Sequence, residues 1–208
     1  MAFFTVTGPL ASTRARGLQY RQKLEDILAD IPADDDVIVS FQNVKAMTGS
    51  FTDEFLGKLL VARAAGLTGR APIILTGLTE ETAWEVDLCL ERRKTVAVWA
   101  DGTTMRLLGG DEMLKETFTA AVLRGEFRAS DLATDLRTSQ QNVNNRLKRL
   151  LDAGAVLRDR QDPAAGGREF LYRVPTLPET SHSRHTDPTE TRRSKTASPH
   201  RREQAATA

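Results

Sequence analysis

The sequence predicts an α/β fold, followed by a smaller α+β part and a disordered tail. Over residues 1–108, short runs rich in β-branched residues alternate with apolar patterns of helical period. Residues 111–175 carry three helical patterns and then two strand patterns around a glycine-containing tip. From Thr176 onward the chain is rich in Ser, Thr, Pro and Arg and holds few apolar residues, which is typical of disorder.

The composition argues against several classes of protein and of functional site. The 208 residues are 40% hydrophobic, which is enough for a buried core. Cys89 is the only cysteine and all three histidines follow Thr176, so we expect no disulfide, no zinc site and no histidine-based catalysis in the folded part. No apolar run approaches the roughly 20 residues of a membrane span, and the N-terminus lacks a signal-peptide pattern. A cytoplasmic protein is therefore expected.

Charge is divided unevenly along the chain. Residues 1–111 hold 12 Lys and Arg against 15 Asp and Glu, whereas residues 112–175 hold 11 against 9. An acidic first part and a basic second part are the pattern of a control domain joined to a nucleic-acid-binding domain. The difference is small, and it gives only secondary support to the motifs described below.

The elements of the first part follow from periodicity and turn residues. Strand patterns occupy residues 3–7, 37–41, 72–76 and 95–100, and helical patterns occupy residues 13–28, 51–65 and 79–92. Asp101-Gly102 is a hairpin signal, so residues 103–108 should return antiparallel to the preceding strand. Residues 42–49 are expected to form a loop. Gly109-Gly110 is interpreted as a hinge into a second domain.

In the second part, three polar residues are predicted to cap three helices. Asp111, Ser130 and Ser139 each precede a helical pattern, and Gly154 should end the third helix. One face of this third helix is apolar, with Val143, Leu147, Leu150 and Leu151. Residues 156–160 and 169–174 are then expected to pair as a hairpin.

The remaining faces of the third helix carry amides and cations, with no carboxylate before Asp152. A carboxamide offers a donor and an acceptor together, as adenine does, and cations hold phosphates. We therefore predict that this helix-turn-helix binds double-stranded DNA. The alternative is that it binds only a protein partner. The predicted DNA-binding residues are Ser139, Gln140, Gln141, Asn144, Asn145, Arg146, Lys148 and Arg149 on the helix, and Arg158, Arg160 and Arg168 on the hairpin.

The stretch SQQNVNNRLKRLLDAGAV, residues 139–156, resembles the recognition helix and following turn of small bacterial winged helix-turn-helix repressors of the arsenical-repressor and multiple-antibiotic-resistance-regulator kind. The resemblance covers about residues 111–174. It implies that the helix enters the major groove while the hairpin, or wing, contacts the backbone or minor groove. A palindromic operator would require a homodimer, although the sequence does not indicate which surface dimerises.

The first part resembles the STAS-like domain family, a relative of anti-sigma factor antagonist domains. The matching residues are Ser12, Arg14 and Gly17, the strand at 37–41, and SFTDEFLG at residues 50–57. The resemblance implies a STAS-like α/β sandwich with a docking surface for a protein such as a kinase-type anti-sigma ATPase. Antagonists of this kind are switched by phosphorylation of a serine at this helix, but Gly49 aligns with the usual phospho-acceptor here.

The residues assigned to regulation or partner binding are Arg14, Ser50, Asp53 and Glu54. Ser50 and Asp53 also match a capping box, and a simple helix cap is the favoured interpretation of Ser50. Asp53 and Glu54 point about 100° apart on a helix and make a poor acid–base pair. We expect ion pairs between them and Arg14 or Arg16.

These observations predict a two-domain regulator without enzymatic activity, metal or cofactor. Residues 1–108 would receive a signal through protein contact, residues 111–175 would bind operator DNA, and residues 176–208 would be disordered. The alternative is a protein-interaction switch, an antagonist of a kinase-type anti-sigma factor without sequence-specific DNA binding. A third possibility, an enzyme with a carboxylate site at Asp53 and Glu54, lacks a recognisable motif.

Overall fold

A five-stranded sheet forms the centre of the computed structural model, which describes residues 1–160 and 170–176. In spatial order its strands are β1 (Ala2–Thr5), β3 (Val37–Ser40), β5 (Ile73–Thr76), β6 (Val96–Asp101) and β7 (Thr104–Gly109). The first four are parallel, and β7 returns antiparallel to β6. The α/β class, the mainly parallel sheet and the hairpin after Asp101 are therefore confirmed.

The helices of the first part are α1 (Arg14–Asp30), α2 (Gly49–Thr52), α3 (Lys58–Ala64) and α4 (Glu80–Arg93). Between α2 and α3, Asp53–Gly57 forms a π-helical turn, so residues 49–64 make one continuous helical segment. The predicted loop at residues 42–49 was only partly right. It contains β4 (Ala46–Met47), which pairs in parallel with β2 (Leu10–Ala11) as a small separate sheet.

The central sheet is buried on both faces. Val37 and Val39 belong to one apolar cluster, together with α1, the 49–64 segment and α4. The alternate strand residues Ile38, Ile74 and Val98 belong to a second cluster on the opposite face. Burial on both faces explains why these strands are nearly continuous apolar runs.

The C-terminal part covers that second face. It consists of α5 (Glu112–Arg124), β8 (Glu126–Phe127), α6 (Ala129–Asp135), α7 (Gln140–Ala153), β9 (Leu157–Arg160) and β10 (Phe170–Arg173). The three strands form an antiparallel sheet in the order β8-β10-β9, as the hairpin prediction required. The hairpin tip, including Arg168, lies outside the described residues, as does the predicted tail from residue 177.

One predicted cap in this part is wrong. Ser130 lies within the first turn of α6, whose N-cap position is Arg128. The Asp131 carboxylate accepts a hydrogen bond from the Arg128 backbone N–H at 2.8 Å. The caps Asp111 and Ser139 are confirmed, since each accepts a hydrogen bond from the backbone N–H three residues later.

The Gly109-Gly110 pair is packed against the sheet. Gly109 has a φ of +75°, and a Cβ atom there would lie 2.4 Å from the Thr95 carbonyl oxygen. Its N–H donates to the Asp87 carboxylate at 2.7 Å. Glycine is therefore needed for a close backbone approach, and this packing does not support an open hinge.

Asp36, which precedes β3, is half-buried, and its Oδ1 atom has no hydrogen-bond partner among the described residues. Burial raises the pKa of this carboxyl above its ordinary value of 3.8, against the opposing charge of Arg173 on β10. A raised folded-state pKa means that the native state binds the proton more tightly than the unfolded chain. This contribution to stability is complete below the ordinary pKa and is lost as pH rises through the folded-state value.

Asp36→Asn is expected to increase the stability at neutral pH and to flatten its pH dependence, because an amide carries no charge to desolvate. Urea unfolding between about pH 4 and pH 8 measures this. Asp34→Asn, an exposed change in the same turn, is the control. A lower stability of Asp36→Asn at neutral pH would show instead that the attraction of Arg173 for this carboxylate outweighs the cost of its burial.

Candidate functional site

The helix α7 has the N-terminus and the apolar face that its sequence predicts. Ser139 Oγ accepts from the Asn142 N–H at 3.3 Å, and Gly154 ends the helix in the left-handed conformation. Val143, Leu147 and Leu150 are fully buried. This anchoring fixes which side of α7 faces outward.

The outward face carries amides and two cations, Lys148 and Arg149. Gln140, Gln141, Asn144, Asn145 and Lys148 are all exposed. Gln141 Nε2 lies 3.4 Å from Asn145 Oδ1, so the two amides form one polar row along the helix. The side chains with the strongest base-pairing chemistry are thus presented to solvent on one rigid element.

Two of the predicted phosphate-binding arginines are engaged within the chain. Arg146 donates to the Met113 carbonyl at 3.4 Å and to Thr117 Oγ1 at 3.2 Å. Arg149 pairs with the Asp111 carboxylate at 2.7 Å, and this hydrogen bond is the first cause that lowers the pKa of Asp111. Both hold α7 against α5, and a phosphate would have to compete with these partners.

On the hairpin, Arg158 is exposed, and its guanidinium carbon lies 4.4 Å from the centre of the Phe170 ring. This cation–π contact keeps the charge close to the strand. Arg160 is the last residue of β9. Arg173 was not among the predicted residues; it lies on β10, with its Nε atom 3.5 Å from Asp159 Oδ2.

Arg63, at the end of α3, was not among the residues predicted from the sequence, and it is only 6% exposed. Its guanidinium donates to the carbonyls of Ala153 at 3.1 Å, Gly69 at 2.9 Å and Arg70 at 2.6 Å. Burial lowers its pKa to about 10, so the group stays charged at neutral pH. A cation at the C-terminus of α7 also complements the helix dipole.

Ser50 is not the cap of its helix, contrary to the sequence prediction. The helix begins at Gly49, and Thr48 Oγ1 accepts from the Phe51 N–H at 3.4 Å. Ser50 lies in the first turn, exposed, with its Oγ 3.3 Å from Thr48 Oγ1. The helix therefore begins at Gly49, two residues earlier than the start at Phe51 that a Ser50 cap would give.

The predicted ion pairs of Arg14 are confirmed. Its Nη1 lies 3.4 Å from Asp53 Oδ2 and 3.5 Å from Glu54 Oε2. Arg93 also pairs with Asp53, at 2.7 Å, and Lys58 pairs with Glu54 at 2.6 Å. Arg16 does not reach these carboxylates, because its guanidinium donates to the carbonyls of Thr7 and Leu10.

This arrangement keeps both carboxyl groups ionised. For Glu54, the Lys58 hydrogen bond is the first cause that lowers the pKa. For Asp53, burial acts in the opposite direction, but hydrogen bonds from Arg93 and Arg14 lower the pKa overall. Two carboxylates held by cations are structural ion pairs, and they do not resemble an acid–base pair with separated pKa values.

Beside these ion pairs lies a cavity of about 250 Å³, lined among others by Arg14, Ser50, Asp53 and Glu85. It brings together three of the four predicted regulatory residues, whereas Glu54 is buried behind them. A wider groove of about 590 Å³ adjoins Glu85 and contains Trp84, which is 64% exposed. The start of the 49–64 segment is thus an accessible, partly apolar surface.

Two features are absent from the part of the chain that the structure describes. No helix there is long and apolar enough to cross a membrane. No cluster of three or more His, Cys, Asp or Glu side chains could hold a metal ion within the same residues. No family model matches the sequence, and no curated protein matches it either.

Proposed function

We propose that this protein is a DNA-binding regulator of transcription, in which residues 111–175 act as a winged helix-turn-helix and residues 1–108 act as a STAS-like signal-receiving domain. The observation that carries the proposal is the outward face of α7, which presents amides and Lys148 without a carboxylate before Asp152. The adjacent hairpin adds Arg158 as a cation at its exposed surface. Amides can pair with base edges and the cations beside them can bind phosphates, so one surface could bind both parts of a DNA groove.

Each exposed side chain then has a distinct role. Gln141, Asn144 and Asn145 would pair with base edges in the major groove, where a carboxamide matches adenine. Lys148 and Arg158 would contact phosphates, which fix the register without reading the sequence. The caps of α7 and its buried face support this role, because they hold the amides on a rigid helix.

The signal would enter through residues 1–108. The helical segment 49–64 has the cavity with Ser50 at its N-terminal end and Arg63 at its C-terminal end. Since Arg63 binds the last carbonyl of α7, a partner that displaces this segment would also disturb α7. The coupling proposed here is therefore a shift within a shared packed core, and a rotation about Gly109-Gly110 is not required.

Lys148→Ala is expected to weaken binding to all DNA sequences and to reduce the salt dependence of binding by about one unit of log–log slope. Asn145→Ala is expected to cost about 1–3 kcal/mol of discrimination at one base pair, with little effect on non-specific DNA. A bound genomic fragment is first selected with the wild type, and fluorescence anisotropy over a salt series then measures both variants.

Lys23→Ala is the matched control, because it removes an exposed lysine from α1 and leaves α7 unchanged. If the wild type bound no genomic fragment even at low salt, DNA binding would be refuted. Equal losses for Lys23→Ala and Lys148→Ala would refute α7 as the binding element.

The second candidate function, a protein-interaction switch, is favoured by the exposed Trp84 beside the Ser50 cavity. An exposed tryptophan with a neighbouring groove is typical of a protein-docking surface. This function predicts calorimetric binding to a purified kinase-type anti-sigma ATPase that Trp84→Ala weakens, without sequence-specific DNA binding. It becomes the preferred function only if the DNA experiment fails.

A further inference from the structure

The helix α5 has one face that packs against nothing else among the described residues. Leu114, Phe118 and Ala121 face the central sheet, and Thr117 meets Arg146 of α7. The outward row at helical spacing is Glu112, Glu116, Thr119 and Leu123, all exposed. Leu123 is 82% exposed, which is more than any other large hydrophobic side chain that the structure describes.

A groove of about 540 Å³ runs beside this row, between α5 and α6. Its apolar lining includes Ala120 and Leu136, both partly buried. Leu123 projects at the edge of this groove, which is large enough to accept an apolar side chain of the size of leucine. The surface therefore offers both a projecting apolar side chain and a recess for one.

Charge is ordered along the same surface. Glu112 and Glu116 lie on the N-terminal half of α5, and Arg124 lies at its C-terminal end. Arg124 is held in place by the Asp135 carboxylate at 2.5 and 2.9 Å. Lys115 also lines the groove, but its ammonium group is occupied by Asp87 at 3.3 Å, Glu91 at 3.7 Å and Glu112 at 3.9 Å.

We infer that this face binds a second copy of the chain, with the two α5 helices antiparallel about a two-fold axis at Ala120. Glu116 and Arg124 are each four residues from Ala120, so an antiparallel pair brings Glu116 of one copy level with Arg124 of the other. Leu123 of each copy then enters the groove of its partner. Such an interface is isologous, because the same residues contribute on both sides.

The inference deepens the proposed function, because a palindromic operator needs two copies. The test does not use DNA, so the two ideas can fail separately. Monomeric protein that still binds DNA would refute only the dimer. A dimer with the expected mutational response that binds no DNA would refute only the proposed function.

Sedimentation velocity of the full chain over a concentration series tests the interface. The wild type is expected to be a dimer. Glu116→Arg is expected to raise the dimer Kd at least roughly tenfold, because it places like charges together, and Leu123→Asp should do the same by placing a charge in the groove. Glu81→Arg, the same substitution on an exposed site of α4, is the control and should leave the Kd unchanged.

Adding Arg124→Glu and Asp135→Arg to Glu116→Arg reverses the Arg124–Asp135 pair as well, restores opposite charges across the axis, and is expected to recover most of the lost affinity. Circular dichroism confirms that each variant is folded. A wild type that stays monomeric up to about 100 μM would overturn the inference. So would a dimer whose Kd is unchanged by both Glu116→Arg and Leu123→Asp, which would place the interface elsewhere.

Discussion

Arg63→Met is expected to lower the free energy of unfolding by about 3 kcal/mol, although methionine is apolar and replaces the aliphatic stem of the arginine. The substitution removes the donor of three carbonyls, those of Gly69, Arg70 and Ala153; the bond to Ala153 is buried and the other two are partly buried. A buried polar group without a partner costs about 1–3 kcal/mol, and water can reach some of these carbonyls in the variant. Urea unfolding monitored by circular dichroism measures the loss.

Arg70→Met is the matched control for this experiment. It makes the same substitution at an exposed residue and keeps the carbonyl that Arg63 binds. Its effect is expected to stay within about 0.5 kcal/mol. Arg63→Lys should give an intermediate loss, because one ammonium group cannot reach three carbonyls in the way that a planar guanidinium does.

Hydrogen exchange locates the effect of Arg63→Met. The backbone N–H groups of Gly154 and Ala155 bond to carbonyls in the last turn of α7. If Arg63 holds this turn, both should exchange faster in Arg63→Met than in Arg70→Met, beyond the change in global stability. An unfolding free energy within about 0.5 kcal/mol of the wild type would mean that Arg63 is dispensable for α7.

Arg63 also shows what sequence periodicity does not reveal. An arginine near the C-terminus of an amphipathic helix ordinarily indicates a solvated charge. Two of its acceptors lie six and seven residues away, in an irregular segment, and the third lies 90 residues away. All three are backbone carbonyls, which every residue has, so no side-chain pattern in the sequence marks them.

The strands and α7 could be predicted because each has a strong local pattern. Val37–Ser40 and Ile73–Thr76 are short apolar runs, and α7 combines a serine cap with a regular apolar face. Where the local sequence pattern was weaker, the prediction was wrong. The two-residue strand β4 is too short for any periodicity, and at the start of α2 both Thr48 and Ser50 resemble a cap.

The covering of the sheet could have been anticipated in part. Ile38 and Ile74 alternate with residues of the first cluster, so both faces of the sheet require a cover. The first part supplies α1, the 49–64 segment and α4, and all of them pack on the first face. This shortage of helices indicates that later residues must contribute, but it does not identify α5 and α7.

Phe118→Ala is expected to destabilise the chain by about 3–5 kcal/mol, the usual loss for a large aromatic side chain in a core. Phe118 is fully buried in the second cluster, between α5 and the central sheet. Because that cluster contains Ile74 and Val98 as well as Leu147, the loss should reach residues 1–108 as well as α7. The described chain should therefore unfold in one transition.

The two tryptophans give a direct test of this cooperativity. Trp84 and Trp99 are the only tryptophans, and both belong to residues 1–108. Fluorescence therefore reports on the first part, while far-ultraviolet circular dichroism reports on all helices. In Phe118→Ala, the unfolding midpoint measured by fluorescence and the one measured by circular dichroism are expected to fall by the same amount.

Phe55→Ala is the matched variant in the first cluster. Phe55 is fully buried against the rings of Phe4, Phe41 and Phe51, and its removal should produce the same coincident shift. If fluorescence in Phe118→Ala kept the wild-type midpoint while circular dichroism showed an earlier step, residues 111–175 would unfold independently. Coupling through a shared core would then fail, and a signal received near Ser50 would need another route to α7.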